Sequence, residues 1–248
     1  REEQSFWRRA SAQNLALAMT PLVTATGTLR LDDLMQFLIS APRSRAEAAS
    51  AEWKERSFCY HILRKAHDDP AGEPLPLREM RVITDHWFVA FAELDDRTRS
   101  NILATITSTI SPFLTGRMHR LLCTDTHFIP EMTHEGAILI VDFPVKVWGD
   151  MGVVVANVLK YQWQRATERR AVHAGTRPVF LWTDECQFTV SAYDMEFQST
   201  ARSSRACSVY LTQNLPGLYS QLKGSDPRAT ANALLGHFQT QIFHSNSD

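Results

Sequence analysis

Four short apolar runs in the second half of the chain constrain its fold more than any other feature. Each run is bounded by turn-forming or polar residues, and a helix-like segment separates it from the next run. Strands that are apolar throughout are typical of a parallel sheet covered on both faces, in which helices join the strands. We therefore predict an α/β fold for this half, with strands at 136–144, Val179–Thr183, 207–214 and 239–245.

The first half of the chain has a different periodicity. Apolar residues recur there at intervals of three and four, which is the spacing of one helix face. We also predict helices between the apolar runs of the second half, the first of them ending in basic residues, which are favourable at a helix C-terminus. The predicted helices cover residues 15–23, 31–39, 45–66, 102–116, 153–170, 191–204 and 230–238. We interpret residues 1–125 as an all-α domain and residues 126–248 as the domain that holds the parallel sheet.

The composition narrows the range of functions. A net charge of -1 provides no global basic field for nucleic acid, so such a contact would need a local patch or a ring of subunits. The cysteines and histidines show no zinc-ligand spacing, and we expect the cysteines to be reduced thiols. No run approaches the roughly 18 apolar residues that mark a membrane span.

Polar side chains follow two neighbouring predicted strands. Asp184 and Glu185 come directly after Val179–Thr183, and Gln213 lies at the end of the next strand. Ligands of open parallel sheets bind beyond the carboxyl ends of the strands. In a nucleotide hydrolase, an aspartate holds the Mg²⁺ shell through water, a glutamate polarises the attacking water, and an amide senses the γ-phosphate. We expect these three residues in those roles; the alternative is a solvated strand end whose acids simply leave the core.

The segment FQSTARSSRACSVYLTQNLPGLYSQL (197–222) resembles the motor domain of type IV secretion coupling proteins of the TraG/TraD kind. These are conjugative DNA-transfer ATPases of the HerA/FtsK superfamily. The apolar strand followed by Asp184 and Glu185 is similar to the family's Walker B motif, and Gln213 matches its motif glutamine. The resemblance covers about residues 135–248 and implies a RecA-like P-loop NTPase core.

The same resemblance suggests a role for an arginine. Arg202 lies 11 positions before Gln213 and matches the family's candidate arginine finger, which reaches the nucleotide of a neighbouring subunit. Such a finger raises the rate of nucleotide hydrolysis roughly 10³–10⁵-fold. Arg205 is a rival for this role, and either arginine could instead be a cation that favours the end of a helix.

The resemblance also implies cofactors, partners and a location. We expect ATP and Mg²⁺ as cofactors, a homo-hexameric ring, and the transport of single-stranded DNA with its relaxase into a type IV secretion channel. The location would be the cytoplasmic face of the bacterial inner membrane, with the membrane link in segments outside this chain. Residues 1–125 are similar in position and character to the all-α domain that these proteins insert after their Walker A helix.

The sequence departs from the family pattern in one respect. It contains no Gly-Lys-Ser/Thr motif, which forms the phosphate-binding Walker A loop. We therefore interpret the chain as a piece of a longer protein and expect it, when isolated, to bind ATP weakly and not to hydrolyse it. Two alternatives stay open: a module that docks relaxosome or substrate proteins without activity of its own, or another DNA translocase of the HerA/FtsK kind.

Overall fold

The chain divides into two compact units, Arg1–Thr126 and His127–Asp248, in a computed structural model that describes residues 2–222 and 226–244. The regular structure described in the first unit is all helical. Its α-helices are α1 (Glu2–Thr26), α2 (Leu31–Ile39), α3 (Arg45–Ala49), α4 (Ala51–Arg56), α5 (Phe58–Asp68), α6 (Leu77–Asp85), α7 (Asp96–Ile110) and α8 (Gly116–Leu122). A π-helical turn at His86–Ala90 follows α6, and a 3₁₀ turn at Ser111–Phe113 follows α7.

Serine caps divide the segment that the sequence predicts as one helix over 45–66. The Ser50 hydroxyl accepts a hydrogen bond from the backbone N–H of Trp53 (3.2 Å), and Ser57 does the same for Tyr60 (3.2 Å). Both serines have extended backbone conformations, and each begins a new helix because its oxygen satisfies a free amide of the first turn. The prediction of one continuous helix is therefore wrong, although its residues are mostly helical.

The core of the first unit forms around Trp87. This indole is fully buried, its Nε1 donates to the carbonyl of Leu17 (3.0 Å), and Phe37 meets it edge-on with ring centroids 5.1 Å apart. The helices predicted at 15–23 and 31–39 are confirmed in α1 and α2, and their apolar faces supply much of this core. The helix predicted to reach 116 ends at Ile110 instead.

The second unit combines helices with a small sheet. Its elements are a 3₁₀ turn at Pro130–Glu135, α9 (Val145–Arg169), β1 (Val179–Thr183), a 3₁₀ turn at Cys186–Phe188, α10 (Ala192–Thr200), β2 (Ala206–Tyr210), α11 (Leu215–Gln221) and α12 (Pro227–Gly236). The two strands are parallel, with Val179 opposite Ala206 and Thr183 opposite Tyr210. Helix α10 lies between them in sequence, so strand, helix and strand form one crossover unit.

The predicted α/β fold with a RecA-like parallel sheet is wrong. Helix makes up 64% of the part of the chain that the structure describes, and the two strands make up 4%. The runs predicted as strands at 136–144 and 239–245 have no strand partner within the described residues, and residue 245 lies outside them. Ile138 and Ile140 are 90% and 84% exposed, so apolarity alone has not made the first run a buried strand. A strand needs a neighbouring backbone to pair its amides, which an apolar run does not itself supply.

Two small cores hold the second unit together. On one side of the sheet, Trp163 of α9 packs against Phe197 of α10 (ring centroids 5.9 Å apart), together with Val179 of β1. A separate cluster forms around Cys186 and Leu218, so it secures the turn after β1 against α11. These contacts fix both ends of the segment that connects β1 to α10.

Candidate functional site

The parallel register of β1 and β2 brings the following residues to one edge of the sheet. Backbone pairing continues past the strands: the Leu211 N–H donates to the Thr183 carbonyl (2.9 Å), and the Cys186 N–H donates to the Leu211 carbonyl (2.9 Å). Residues 184–185 and 212–213 therefore leave the sheet side by side.

Glu185 and Gln213 meet at this edge. The Gln213 carboxamide Nε2 donates to Glu185 Oε1 at 2.6 Å. The other carboxylate oxygen of Glu185 accepts from the side-chain amide of Gln187, whose own carbonyl oxygen accepts from Thr212 Oγ1 at 2.9 Å. We name these four residues with Asp184 the strand-end cluster. Its hydrogen bonds run from one strand end to the other.

Asp184 presents its carboxylate to solvent. Its Oδ1 accepts the backbone N–H of Glu185 (2.9 Å), and the side chain is exposed. Magnesium in nucleotide sites is held by one or two carboxylates together with phosphates and water, rather than by a cage of protein ligands. Across residues 2–222 and 226–244, no group of three His, Cys, Asp or Glu side chains could hold a metal. Asp184 therefore supplies one exposed carboxylate at this edge of the sheet.

Glu185 has an unusual backbone conformation. Its dihedral angles are φ 47° and ψ 46°. They lie in the left-handed region, which residues other than glycine adopt at a cost of roughly 1–2 kcal/mol. The tight turn at Cys186–Phe188 follows it directly and is held by the Phe188 N–H to Glu185 carbonyl bond (3.0 Å). Strained residues of this kind concentrate at functional sites.

The structure places Arg202 away from the strand-end cluster. Arg202 is exposed in the turn before β2, whereas Gln213 lies beyond the opposite end of that strand. Five strand residues at about 3.3 Å each separate the two positions. Arg205 is nearer to β2 and its guanidinium donates to the Thr176 carbonyl (2.6 Å), so it has a structural partner.

Cys186 follows the acidic pair but packs into the core. It is 2% exposed, and burial raises the pKa of its thiol to about 11. Because the thiolate is the reactive form, the thiol is unreactive near neutral pH.

The sequence leads to Asp184, Glu185 and Gln213 but not to Gln187. Gln187 reaches Glu185 because the left-handed conformation at Glu185 turns the chain back, and periodicity carries no signal of that turn. Its only sequence signal is its position two residues after Glu185 in the run DECQF.

Comparisons of the chain with models of protein families, with curated proteins and with solved structures found no match. Of the helices in the described part of the chain, none is both long enough and apolar enough to cross a membrane.

Proposed function

We propose that this chain supplies the residues next to Mg²⁺ and next to the attacking water in an ATP-hydrolysis site. The site would belong to a coupling motor that moves DNA or protein into a type IV secretion channel. The observation that carries the proposal is the Gln213–Glu185 hydrogen bond of 2.6 Å, with Asp184 adjacent. These are the residue types that nucleotide hydrolysis requires at one strand edge. The resemblance of 197–222 to coupling proteins selects the motor among nucleotide hydrolases.

Each residue has a role that follows from its hydrogen bonds. Asp184, exposed at the edge, would contact a water of the Mg²⁺ shell, and the metal, when bound, would neutralise charge at the phosphates. Glu185 would orient the attacking water and accept its proton. A carboxamide has two N–H donors. Gln213 can therefore hold Glu185 with one and offer the other to a γ-phosphate oxygen.

The remaining parts of the site would come from elsewhere. The sequence has no Gly-Lys-Ser/Thr loop, so the phosphate cradle would belong to another segment. Arg202 lies beyond the far end of β2 from Glu185, so one copy does not bring both to one nucleotide. A finger role for Arg202 therefore requires a neighbouring copy, as in the ring of subunits that we propose for the whole protein at the inner membrane.

ATP hydrolysis by the longer protein in which we expect this chain to lie tests the proposal. We expect Glu185→Gln to lower the DNA-stimulated rate by about 10²-fold or more, the usual contribution of a general base. Gln213→Ala should also lower it, whereas Glu196→Gln, an exposed residue of α10, is the matched control and should retain the wild-type rate. Full activity of Glu185→Gln would refute the catalytic assignment.

Mixed assemblies test whether Arg202 acts on a neighbour. A ring made from equal amounts of Glu185→Gln and Arg202→Ala copies contains some interfaces that combine an intact Glu185 with an intact Arg202. With random placement this holds for about a quarter of the interfaces of a cyclic assembly. We expect activity near that fraction, and a mixture no more active than the two variants separately would contradict the finger role.

The first unit gives a second candidate function, the docking of a relaxosome or substrate protein. It has its own core, and an open groove of about 330 Å³ is lined by residues that include Ile39, Arg43, Glu47 and Arg56. Ile39 is 63% exposed there, beside both positive and negative side chains. Binding of a purified relaxase or accessory protein to the chain, weakened by Ile39→Asp but not by Val82→Asp, would support this function.

A further inference from the structure

A buried ion pair lies behind the strand-end cluster, and the proposed roles do not use it. Lys160 of α9 and Asp194 of α10 are 7% and 0% exposed, and their Nζ and Oδ2 atoms are 2.6 Å apart. Charged side chains are almost never fully buried unless they are paired. Apolar residues of similar size often give a protein the same stability as a buried ion pair. Stability alone therefore does not explain why this ion pair is present.

Asp194 is surrounded by hydrogen-bond donors. Its Oδ2 accepts from the Ser191 backbone N–H (2.6 Å), from Ser191 Oγ (3.0 Å) and from Lys160. Its Oδ1 accepts from Gln164 Nε2 (2.8 Å) and from the Tyr210 hydroxyl. Burial alone would raise the pKa of Asp194, but the Lys160 charge and these donors outweigh burial and hold the pKa below its usual value. The carboxylate is therefore ionised and fully engaged.

Two of the contacts reach the segments that carry the strand-end cluster. Lys160 Nζ donates to the carbonyl of Thr189, which ends the turn that begins after Glu185. Tyr210 is the last residue of β2 and lies three positions before Gln213. One ion pair thus connects to the chain on both sides of the Glu185–Gln213 hydrogen bond.

We propose that Lys160 and Asp194 are positioning residues that fix Glu185 and Gln213 relative to each other, with Tyr210 as the link to β2. The inference concerns the geometry of the cluster, and its catalytic consequence rests on the proposed function. Lys160 holds the turn that orients Glu185. Asp194 accepts hydrogen bonds from both Lys160 and Tyr210 and so connects that turn to β2. Neither residue would contact the nucleotide.

The geometry can be measured without nucleotide, on the chain itself. The side-chain amide protons of Gln213, assigned by their loss in Gln213→Ala, report the hydrogen bond to Glu185 in an NMR spectrum. Tyr210→Phe removes one hydroxyl, and Asp194→Asn removes the charge at constant shape. We expect both variants to move these resonances toward those of an exposed glutamine, with the larger shift in Asp194→Asn.

Thr167→Val is the matched control. Thr167 lies on α9, is fully buried, and is hydrogen-bonded to His134 rather than to the cluster (3.2 Å). This variant should be destabilised and still keep the wild-type Gln213 resonances. Unchanged Gln213 resonances in folded Tyr210→Phe would overturn the proposal, and this variant keeps the test decisive if Asp194→Asn does not fold.

Steady-state kinetics of the longer protein then separate this inference from the proposed function. Displacement of a catalytic group by about 1 Å costs about 10²-fold, so we expect Tyr210→Phe to lower kcat by up to that factor with little change in KM for ATP. Shifted Gln213 resonances with an unchanged kcat would leave the positioning role intact and refute the use of this geometry in catalysis. Unchanged resonances would refute positioning, whatever the activity.

Discussion

Replacing Gln213 by glutamate tests directly whether the two strand ends meet. The change keeps the length and shape of the side chain but exchanges the N–H donor for a second carboxylate. In the structure the donor nitrogen lies 2.6 Å from Glu185 Oε1, so the new carboxylate would face an acceptor of the same charge. Gln213→Ala removes the donor and adds no charge, so it separates the lost hydrogen bond from the new repulsion.

The expected penalty follows from the distance and the exposure. Two unit charges 4 Å apart interact by about 1 kcal/mol in water and by about 4 kcal/mol at an effective dielectric constant of 20. Gln213 is exposed and Glu185 is half-buried, which favours the lower part of that range. A hydrogen bond to a charged group contributes about 1.5–3 kcal/mol, and exposure reduces this value as well. We expect a loss of about 1 kcal/mol for Gln213→Ala and about 2–3 kcal/mol for Gln213→Glu.

Hydrogen–deuterium exchange of peptides that cover 206–214 measures this local free energy. The extra loss in Gln213→Glu should shrink in about 1 M salt, where the screening length falls to about 3 Å. Gln13→Glu, an exposed change of the same chemistry on α1, is the control and should leave exchange in 206–214 unaltered. Exchange in Gln213→Glu that is no faster than in Gln213→Ala at low salt would refute the predicted repulsion between the two carboxylates.

Nucleotide binding, core packing and acid stability each provide a further test. Calorimetric titration of the isolated chain with Mg·ATP should show weak binding, and any turnover by the chain alone would be contrary to expectation. Trp87→Phe should lower the free energy of unfolding by about 1–3 kcal/mol in a denaturant titration, because the Leu17 carbonyl loses its donor. The lowered pKa of Asp194 means that its stabilising effect is complete above about pH 4 and is lost as the pH falls through the folded-state pKa. Thermal unfolding of Asp194→Asn should accordingly depend less on pH in this acid range than wild type, and equal dependence would refute the assignment.

Several helices could be predicted from local patterns, whereas the fold class could not, and the errors have specific physical causes. The three-four spacing at 15–23 and 31–39 predicts α1 and α2, because an amphipathic face is a property of the segment itself. The strand prediction succeeds at Val179–Thr183, which has β2 as a partner, and fails at 136–144. Both segments are apolar, so the difference lies in pairing across the chain, which is not a local property.

In the strand-end cluster, too, some features follow from local sequence patterns and others depend on contacts between distant segments. The proximity of Glu185 and Gln213 follows from two adjacent strands that are parallel, and the sequence predicts both strands. The Lys160–Asp194 pair joins residues 34 positions apart. From sequence alone, a lysine in a helix is expected to be exposed to solvent. Only the packing of α9 against α10 shows that this lysine is buried.

The exposed position of the strand-end cluster explains why buried groups would matter for its geometry. Polar side chains at a surface exchange their partners with water, so a surface hydrogen bond fixes position only weakly. The position of the Glu185 side chain must then be fixed by its backbone. Two contacts hold the backbone near Glu185: the Cys186 N–H donates to the Leu211 carbonyl, and Lys160 donates to the Thr189 carbonyl. The Lys160–Asp194 hydrogen bond is buried, so water does not compete for it and leaving it unmade is costly. We therefore expect the geometry of the exposed strand-end cluster to depend on the buried Lys160–Asp194 pair.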